Sequence, residues 1–228
     1  MLPFATLIDS LAQFYGGPSP PAVTDPFAMI LWENIAYLAN DAKRAQAFAE
    51  LRTKVGLNPG EIRKAKDSVL LAIAGKGIVP ATTVEKLRRA AEIARDDFGD
   101  NLSPILDKPL APAKKDLQKF PAIGEPSAEK ILLFNRRHAL LALESNGLRV
   151  LVRLGYAPEH RNYSTMYKQM QCALAPQLPA SCEALIRAHQ LLRQHGQELC
   201  KRTAPVCGSC PLRANCTFFA ELGQTASR

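Results

Sequence analysis

The stretch Cys200-KRTAPV-Cys207-GS-Cys210-PLRAN-Cys216, here called the cysteine loop, holds four of the six cysteines of the chain at the spacing C-x6-C-x2-C-x5-C. No helix or strand buries four cysteines at this spacing for packing alone, so the pattern is typical of a loop that wraps a metal centre. Four thiolates suit a tetrahedral zinc ion or an iron–sulfur cluster. A pair of disulfides is the alternative, and it depends on the compartment in which the protein works.

Composition favours a reducing compartment and a polyanionic partner. The chain has 228 residues, 47% of them hydrophobic, and a formal net charge of +8, which suits nucleic acid before a membrane. Asp9, Ser10 and Gln13 interrupt the N-terminal apolar segment, and no apolar run is long enough to span a bilayer. We therefore expect a cytoplasmic, nucleoid-associated protein without a membrane partner. Thiols stay reduced there, which favours metal binding over disulfides.

Hydrophobic periodicity predicts an all-α fold. Apolar residues recur at helical spacing through most of the chain, and no run of four or more residues alternates cleanly over β-branched positions. The proline-rich segment Asp100–Ala113 is predicted to be a loop. The predicted helices are Phe4–Tyr15, Phe27–Asn40, Asp41–Val55, Glu61–Ala74, Thr83–Phe98, Lys114–Lys119, Pro126–Phe134, Asn146–Leu154, Ser164–Ala175, Ser181–His195 and Leu212–Leu222.

A tight turn between two of these helices resembles the helix-hairpin-helix motif, with the sequence Phe120-Pro-Ala-Ile-Gly124. The first backbone N–H groups of the following helix have no partner within it, and with the helix dipole they form an anion site suited to a DNA phosphate. An ordinary corner of the core is the alternative. Alanine stands where the motif has its first glycine, and alanine tolerates positive φ poorly. The residues predicted to contact DNA here are Ala122, Ile123, Gly124 and Ser127.

The hairpin, the segment Leu143–Val150 and the cysteine loop, in this order from about Pro26 to Cys216, resemble endonuclease III and its relatives among the DNA glycosylases. This resemblance implies an all-α fold of two domains. One is a six-helix barrel at 26–137, which includes the helix-hairpin-helix at 114–134. The other is a cluster domain formed by 1–25 and 138–228, with its cluster loop at 200–216.

The resemblance also implies a cofactor and a partner. The lopsided spacing is similar to the 4Fe-4S loop of that family, which implies that Cys200, Cys207, Cys210 and Cys216 bind a 4Fe-4S cluster. In the family, double-stranded DNA binds in the cleft between the domains, and a damaged or mispaired base is flipped into it. A zinc-stabilised helical protein unrelated to repair stays open as an alternative.

Glu144 is the first candidate catalytic residue. Release of a base builds positive charge on the sugar, which a carboxylate stabilises. The family places an aspartate for this purpose after the helix that follows the hairpin, and Glu144 stands at the matching position. The glutamate adds one methylene to the side chain. A solvated or helix-capping glutamate is the alternative.

Glu33 is the second candidate. The segment Pro26–Leu38 is similar to the one that carries a catalytic glutamate in the adenine glycosylase branch, and Glu33 stands at that position. It also interrupts an apolar helix beside Trp32, so we expect an apolar pocket to raise its pKa and make it a general acid for the leaving base. A solvent-facing glutamate is the alternative. Leu38 is expected to wedge into the DNA stack, or else to belong to the core.

Two further features complete the prediction. Lyase members of the family carry a lysine two residues after the last glycine of the hairpin, and Pro126 stands there, so no efficient β-lyase activity is expected. Lys201 and Arg202 in the cysteine loop are predicted to contact phosphate. We therefore predict a monomeric, monofunctional DNA glycosylase that hydrolyses the N-glycosidic bond. The alternative is a catalytically weak or inactive protein of the same fold that only binds damaged or bent DNA.

Overall fold

In the computed structural model, residues 2–36 and 39–225 are described, and among them only helices and connecting segments occur. The all-α prediction is therefore confirmed. No helix in these residues is long and apolar enough to cross a membrane. The helices are α1 (Phe4–Tyr15), α2 (Pro26–Asn34), α3 (Asp41–Lys54), α4 (Pro59–Lys64), α5 (Asp67–Ala74), α6 (Pro80–Phe98), α7 (Ser103–Leu106), α8 (Leu110–Leu117), α9 (Glu125–Phe134), α10 (Ser145–Arg153), α11 (Tyr163–Leu174), α12 (Cys182–Glu198) and α13 (Thr217–Thr225).

The chain forms two compact units. One, the central unit, is Pro21–Arg137, and the other, the terminal unit, is Met1–Pro20 with His138–Arg228. The central unit contains α2 to α9 and is built around α6, which packs against α2, α4 and α5. The inward face of α6 is apolar at helical spacing, so that Leu87, Ala91 and Ala94 are fully buried.

The terminal unit is built around α12, which packs against α1 and α10. The approach of α10 and α12 is close because glycine stands at the crossing. A Cβ atom at Gly196 would lie only 2.6 Å from the backbone oxygen of Asn146, so no side chain fits there. This crossing brings the start of α10 next to the chain that leads into the cysteine loop.

The structure corrects one predicted helix in the central unit. Glu61–Ala74 is two helices, because Ala65 is extended (ψ 146°) and ends α4. Arg88 of α6 stabilises this break, since its guanidinium donates to the carbonyl oxygens of Ile62, Arg63 and Ala65. The carbonyls at the end of α4 are thus satisfied from another helix.

Two further segments also differ from the predictions. The predicted loop Asp100–Ala113 contains α7 and the start of α8, because its prolines lie at helix starts, where no N–H is needed. The last helix begins at Thr217 instead of Leu212, since the preceding residues form 3-10 turns within the cysteine loop.

Candidate active site and cysteine loop

The hairpin joins α8 to α9 through a turn in which an alanine takes a conformation that suits glycine. Ala122 has φ 59°, and Ile123 N donates to Phe120 O at 3.2 Å to close the turn. Gly124 precedes α9 and gives it no side-chain cap, so the amides of the first turn have no partner within the helix. Ala122 and Gly124 are exposed, whereas the Ile123 side chain is only 5% exposed. Of the predicted contacts, Ile123 can therefore offer DNA only its backbone.

Asn34, which the sequence did not single out, ties α2 to this turn. Its side chain is buried, and its Nδ2 donates to Ile30 O and to Pro121 O, both at 2.9 Å. A buried polar group needs such partners. The bond fixes the turn relative to the end of α2, where Glu33 lies.

Glu33 of α2 forms an ion pair with a lysine of α9 within the central unit. Its Oε1 accepts from Lys130 Nζ, and its Oε2 accepts from Ser127 Oγ at 3.4 Å, both residues of α9. The Glu33 and Lys130 side chains are only 17% and 18% exposed. Ser127, predicted as a DNA contact, thus has its hydroxyl directed at a carboxylate. Trp32 packs edge-on against Phe48, with ring centroids 5.2 Å apart.

The expected rise of the Glu33 pKa is wrong. Burial does raise the pKa of the carboxyl, but the charge and hydrogen bond of Lys130 outweigh it, with help from Arg44 and Ser127, and the pKa falls below its ordinary value. At neutral pH the resting side chain is therefore a carboxylate. Leu38, predicted to be a wedge, lies outside the described residues.

Glu144 is the N-cap of α10, and both of its carboxylate oxygens accept hydrogen bonds. Oε1 accepts from Gly147 N and Oε2 from Asn146 Nδ2, each at 2.7 Å. The side chain is half-buried, so it keeps an open side. The helix-capping alternative is therefore correct as a description of its structural role, and it also fixes the orientation that an electrostatic role requires.

Tyr163 of α11, another residue that the sequence did not single out, lies beside this carboxylate. Burial and, to a lesser extent, the charge of Glu144 raise the pKa of Tyr163 to about 12, so its hydroxyl keeps its proton at neutral pH. The ring is stacked on Tyr167, with centroids 6.2 Å apart, and Tyr163 remains 40% exposed. An exposed aromatic ring thus borders Glu144.

A continuous set of hydrogen bonds connects Glu144 to the cysteine loop. Asn146, which donates to Glu144, accepts from Arg149 Nη2 at 2.8 Å. The same guanidinium donates to Gly196 O at 2.7 Å and to Cys200 O at 2.9 Å. The candidate catalytic carboxylate and the first cysteine are therefore positioned by one arginine.

The four cysteines of the loop are half-buried and electrostatically coupled. Burial raises the pKa of the Cys210 and Cys216 thiols, and the charges of the other loop cysteines raise it further. The backbone N–H of Leu212 lowers the pKa of Cys210, and that of Phe219 lowers the pKa of Cys216, but burial outweighs both. Arg153 Nη1 lies 3.5 Å from Cys200 Sγ. A bound cation would favour the thiolates much more strongly.

Four cysteines in one loop are the donor set that a 4Fe-4S cluster takes, with one thiolate for each iron. In the part of the chain that the structure describes, no three His, Cys, Asp or Glu side chains converge closely enough to hold a single metal ion.

A histidine lies next to one of the loop cysteines and is hydrogen-bonded to a tyrosine. His195 of α12 is 1% exposed, and its Nε2 lies 3.5 Å from Cys210 Sγ, while its Nδ1 lies 3.0 Å from the Tyr15 hydroxyl of α1. Burial lowers the pKa of His195 to about 4, so the ring is neutral at physiological pH. Sequence spacing gives no hint of this group, because Tyr15 and His195 are 180 residues apart.

The predicted phosphate contacts in the loop, Lys201 and Arg202, are exposed. Their backbone oxygens accept from the Arg153 guanidinium at 2.7 and 3.1 Å. The backbone is thus held from α10 while the two cationic side chains remain accessible to solvent.

The comparisons with known proteins agree with this architecture. No family model matches the chain. Over 202 residues it is 25% identical to an endonuclease III of Sulfolobus acidocaldarius, which covers 86% of this chain and 83% of the relative. An endonuclease III of Thermotoga maritima is 23% identical over 201 residues, covering 88% and 87%.

Among solved structures, a trapped endonuclease III–DNA covalent intermediate superposes with a TM-score of 0.77 at 17% identity, covering 98% of this chain and all of that one. The predicted fold class is thereby confirmed. The predicted resemblance to endonuclease III and the related helix-hairpin-helix DNA glycosylases is thereby confirmed in sequence and in fold.

Proposed function

We propose that the chain is a monomeric, monofunctional DNA glycosylase. It would hydrolyse the N-glycosidic bond of a damaged or mispaired base flipped from double-stranded DNA. The observation that carries this proposal is the Glu144 carboxylate, half-buried at the start of α10 with each oxygen held by a donor. The similarity to endonuclease III, which includes a structure trapped as a covalent intermediate with DNA, supports DNA as the partner.

Glu144 acts through its charge. Both oxygens accept hydrogen bonds, so the carboxylate is held in place and can face a developing positive charge on the sugar without reorganisation. Preorganised charge of this kind is worth about 100- to 1000-fold in rate. Two hydrogen bonds fix the end of this side chain, which is one methylene longer than the aspartate of the family.

Glu33 acts as a base for the attacking water. The resting side chain is ionised, so it can accept a proton from water, whereas a general acid would need to begin protonated. Lys130 and Ser127 orient it from α9. The water proton then ends on Glu33, the hydroxyl joins the sugar carbon, and the bonding electrons of the broken bond leave with the base.

The cysteine loop holds the cofactor. Cys200, Cys207, Cys210 and Cys216 would bind a 4Fe-4S cluster, whose bonds to iron cross-link the loop and whose iron atoms can exchange one electron. The terminal unit is then the cluster domain, and the central unit is the six-helix barrel. Arg149 and Arg153 join the loop to α10, so cluster binding supports the backbone that carries Glu144.

DNA contacts come mainly from backbone amides and cations. The amides of Gly124 and Ser127 at the start of α9 would bind a phosphate, and the turn at Ala122 and Ile123 presents them. Lys201 and Arg202 would bind a second stretch of phosphates. Leu38 would supply the wedge that fills the emptied stack.

The expected absence of lyase activity rests on the residue at the second position of α9. Pro126 stands where lyase relatives carry the nucleophilic lysine, and proline has no side-chain amine. Lys130 lies one helical turn further along α9, and its amine donates to the Glu33 carboxylate within the central unit. We therefore expect an intact, base-free strand as the product.

The test is an excision assay on duplex oligonucleotides that carry a panel of damaged and mispaired bases, each split into alkali-treated and untreated halves. Strand breaks that need alkali, and that disappear in Glu33→Gln but persist in the exposed control Glu85→Gln, are the expected result. Breaks without alkali would overturn the monofunctional assignment, and Lys130→Met would then identify the amine. Tight DNA binding without release of any base would favour a DNA-binding protein that lacks catalysis.

A further inference from the structure

Buried His195 and half-buried Tyr15 form a pair that has no part in the proposed reaction, yet the histidine contacts the proposed cofactor site. The His195 imidazole lies between the Tyr15 hydroxyl, 3.0 Å from Nδ1, and the Cys210 sulfur, 3.5 Å from Nε2. Tyr15 comes from α1 near the N-terminus, and Cys210 from the cysteine loop. The position of this histidine calls for an explanation. Burying a neutral imidazole is costly unless both of its ring nitrogens have hydrogen-bond partners.

The proton arrangement follows from the ligand chemistry. A cysteine that binds iron is a thiolate and has no proton to give, so a hydrogen bond at Nε2 must be donated by the imidazole. In the neutral ring Nδ1 is then the acceptor, and the Tyr15 hydroxyl is the donor to it. Tyr15 therefore selects the tautomer that directs an N–H group at sulfur.

We propose that His195 donates an N–H···S hydrogen bond to Cys210, that Tyr15 holds it in the donating tautomer, and that the pair sets the reduction potential of the bound cluster. This inference rests on the proposed 4Fe-4S cofactor. A hydrogen bond to a ligating thiolate stabilises the more negative, reduced cluster, so it shifts the potential upwards. His195 and Tyr15 are positioning residues for the cofactor and have no catalytic role.

The chain offers a matched pair of substitutions to test this. The amide of His195→Gln places an N–H near the former Nε2, where it can still reach Cys210. The shorter His195→Asn places its amide near the former Nδ1, beside Tyr15, and leaves the sulfur without a donor. Tyr15→Phe removes the tautomer control and keeps the ring. Each purified protein is assayed for iron and sulfide content, and its reduction potential is then measured by protein-film voltammetry without DNA.

We expect four irons per chain in the wild type and a more negative potential in His195→Asn. The reduction potential of Tyr15→Phe should shift in the same direction by a smaller amount, and that of His195→Gln should stay near the wild-type value. Equal reduction potentials in the wild type and all three variants, each loaded with the cluster, would overturn this inference but not the proposed cofactor. A wild-type protein without iron would overturn the cofactor and the inference together. Failure to excise bases, with the predicted potentials observed, would count against the glycosylase proposal only.

Discussion

Ala122 carries a backbone strain that the chain tolerates in order to close the hairpin turn. A positive φ of 59° costs a residue with a Cβ atom about 1 kcal/mol relative to glycine. We predict that Ala122→Gly raises the free energy of unfolding by about 1 kcal/mol in chemical denaturation. Ala45→Gly, on the exposed face of α3, should lower it by about 1 kcal/mol. A loss of stability in Ala122→Gly would show that the turn is not held in this conformation.

Lys130 determines the pH range in which Glu33 is ionised. Burial alone would raise the pKa of Glu33, and the lysine reverses this, so activity that needs the carboxylate persists as pH falls until that lowered pKa is reached. In Lys130→Met the burial remains and the opposing charge is removed. We predict that the acidic limb of the kcat/KM profile moves to higher pH, towards neutrality.

The control is Lys130→Arg, which retains the charge and should retain the position of the acidic limb. An unchanged limb in Lys130→Met would mean that Glu33 is not the group whose ionisation the reaction needs. If the kcat/KM profile of Lys130→Met instead loses activity on its alkaline side near neutral pH, the result would support a protonated Glu33 that acts as a general acid.

The sequence identified both candidate carboxylates, but it did not predict the ionisation state of Glu33. Glu33 was identifiable because it interrupts an apolar helix, whereas its partner Lys130 lies 97 residues away, and periodicity gives no information on that pairing. Glu144 was identifiable from its resemblance to a family position, and helix capping was one of the alternatives considered for it. The ionisation of a buried group depends on neighbours that only the folded chain brings together.

Asn34 connects α2 to the hairpin turn, so its loss should affect the turn more than the helix. Asn34→Ala leaves Pro121 O without its donor, and we predict a loss of about 1 kcal/mol in stability with weaker binding of DNA. Asn40→Ala, which removes the cap of α3, should cost a similar free energy.

DNA affinity distinguishes the two asparagine variants. Titration of a fluorescent duplex at fixed salt should give weaker binding for Asn34→Ala and wild-type binding for Asn40→Ala. Equal affinities for both variants would show that the hairpin turn keeps its shape without the Asn34 bond.

Helices with one strong apolar stripe were predicted well, and the segments shaped by distant contacts were not. The bounds of α1 follow from its periodicity and from the glycine and proline residues after it. The break between α4 and α5 depends on Arg88 of α6, which supplies donors to carbonyls 23 to 26 residues away. Prolines in 100–113 were interpreted as loop signals although they also occupy helix starts.

The net charge of +8 gives the protein an electrostatic affinity for DNA that salt should weaken. Lys201 and Arg202 lie on a loop backbone fixed by Arg153, so their contribution should be separable from folding. We predict that Lys201→Ala and Arg202→Ala each reduce the slope of log Kobs against log salt by about 0.9 for each phosphate that the variant no longer neutralises. Arg187→Ala, at an exposed position of α12, should keep the wild-type slope. Unchanged slopes in both loop variants would place the phosphate contacts elsewhere.

The fold class was predictable from the sequence because three separate motifs in one order point to the same architecture. Hydrophobic periodicity excluded strands, and the cysteine loop indicated a metal centre without reference to any relative. The pair of Tyr15 and His195 and the bonds from Glu144 through Arg149 to Cys200 were not predictable, since each joins residues far apart in the chain. Such networks depend on how α1, α10 and α12 pack.

The measurement that tests the central claim most directly is single-turnover base excision by Glu144→Gln on a duplex from which the wild type releases a base. Glutamine can still cap α10 through its carbonyl, so the variant removes the charge while keeping the fold. We predict that the rate falls about 100-fold or more while DNA affinity and iron content stay at wild-type values. Excision at the wild-type rate by a folded, DNA-binding Glu144→Gln protein would contradict the account.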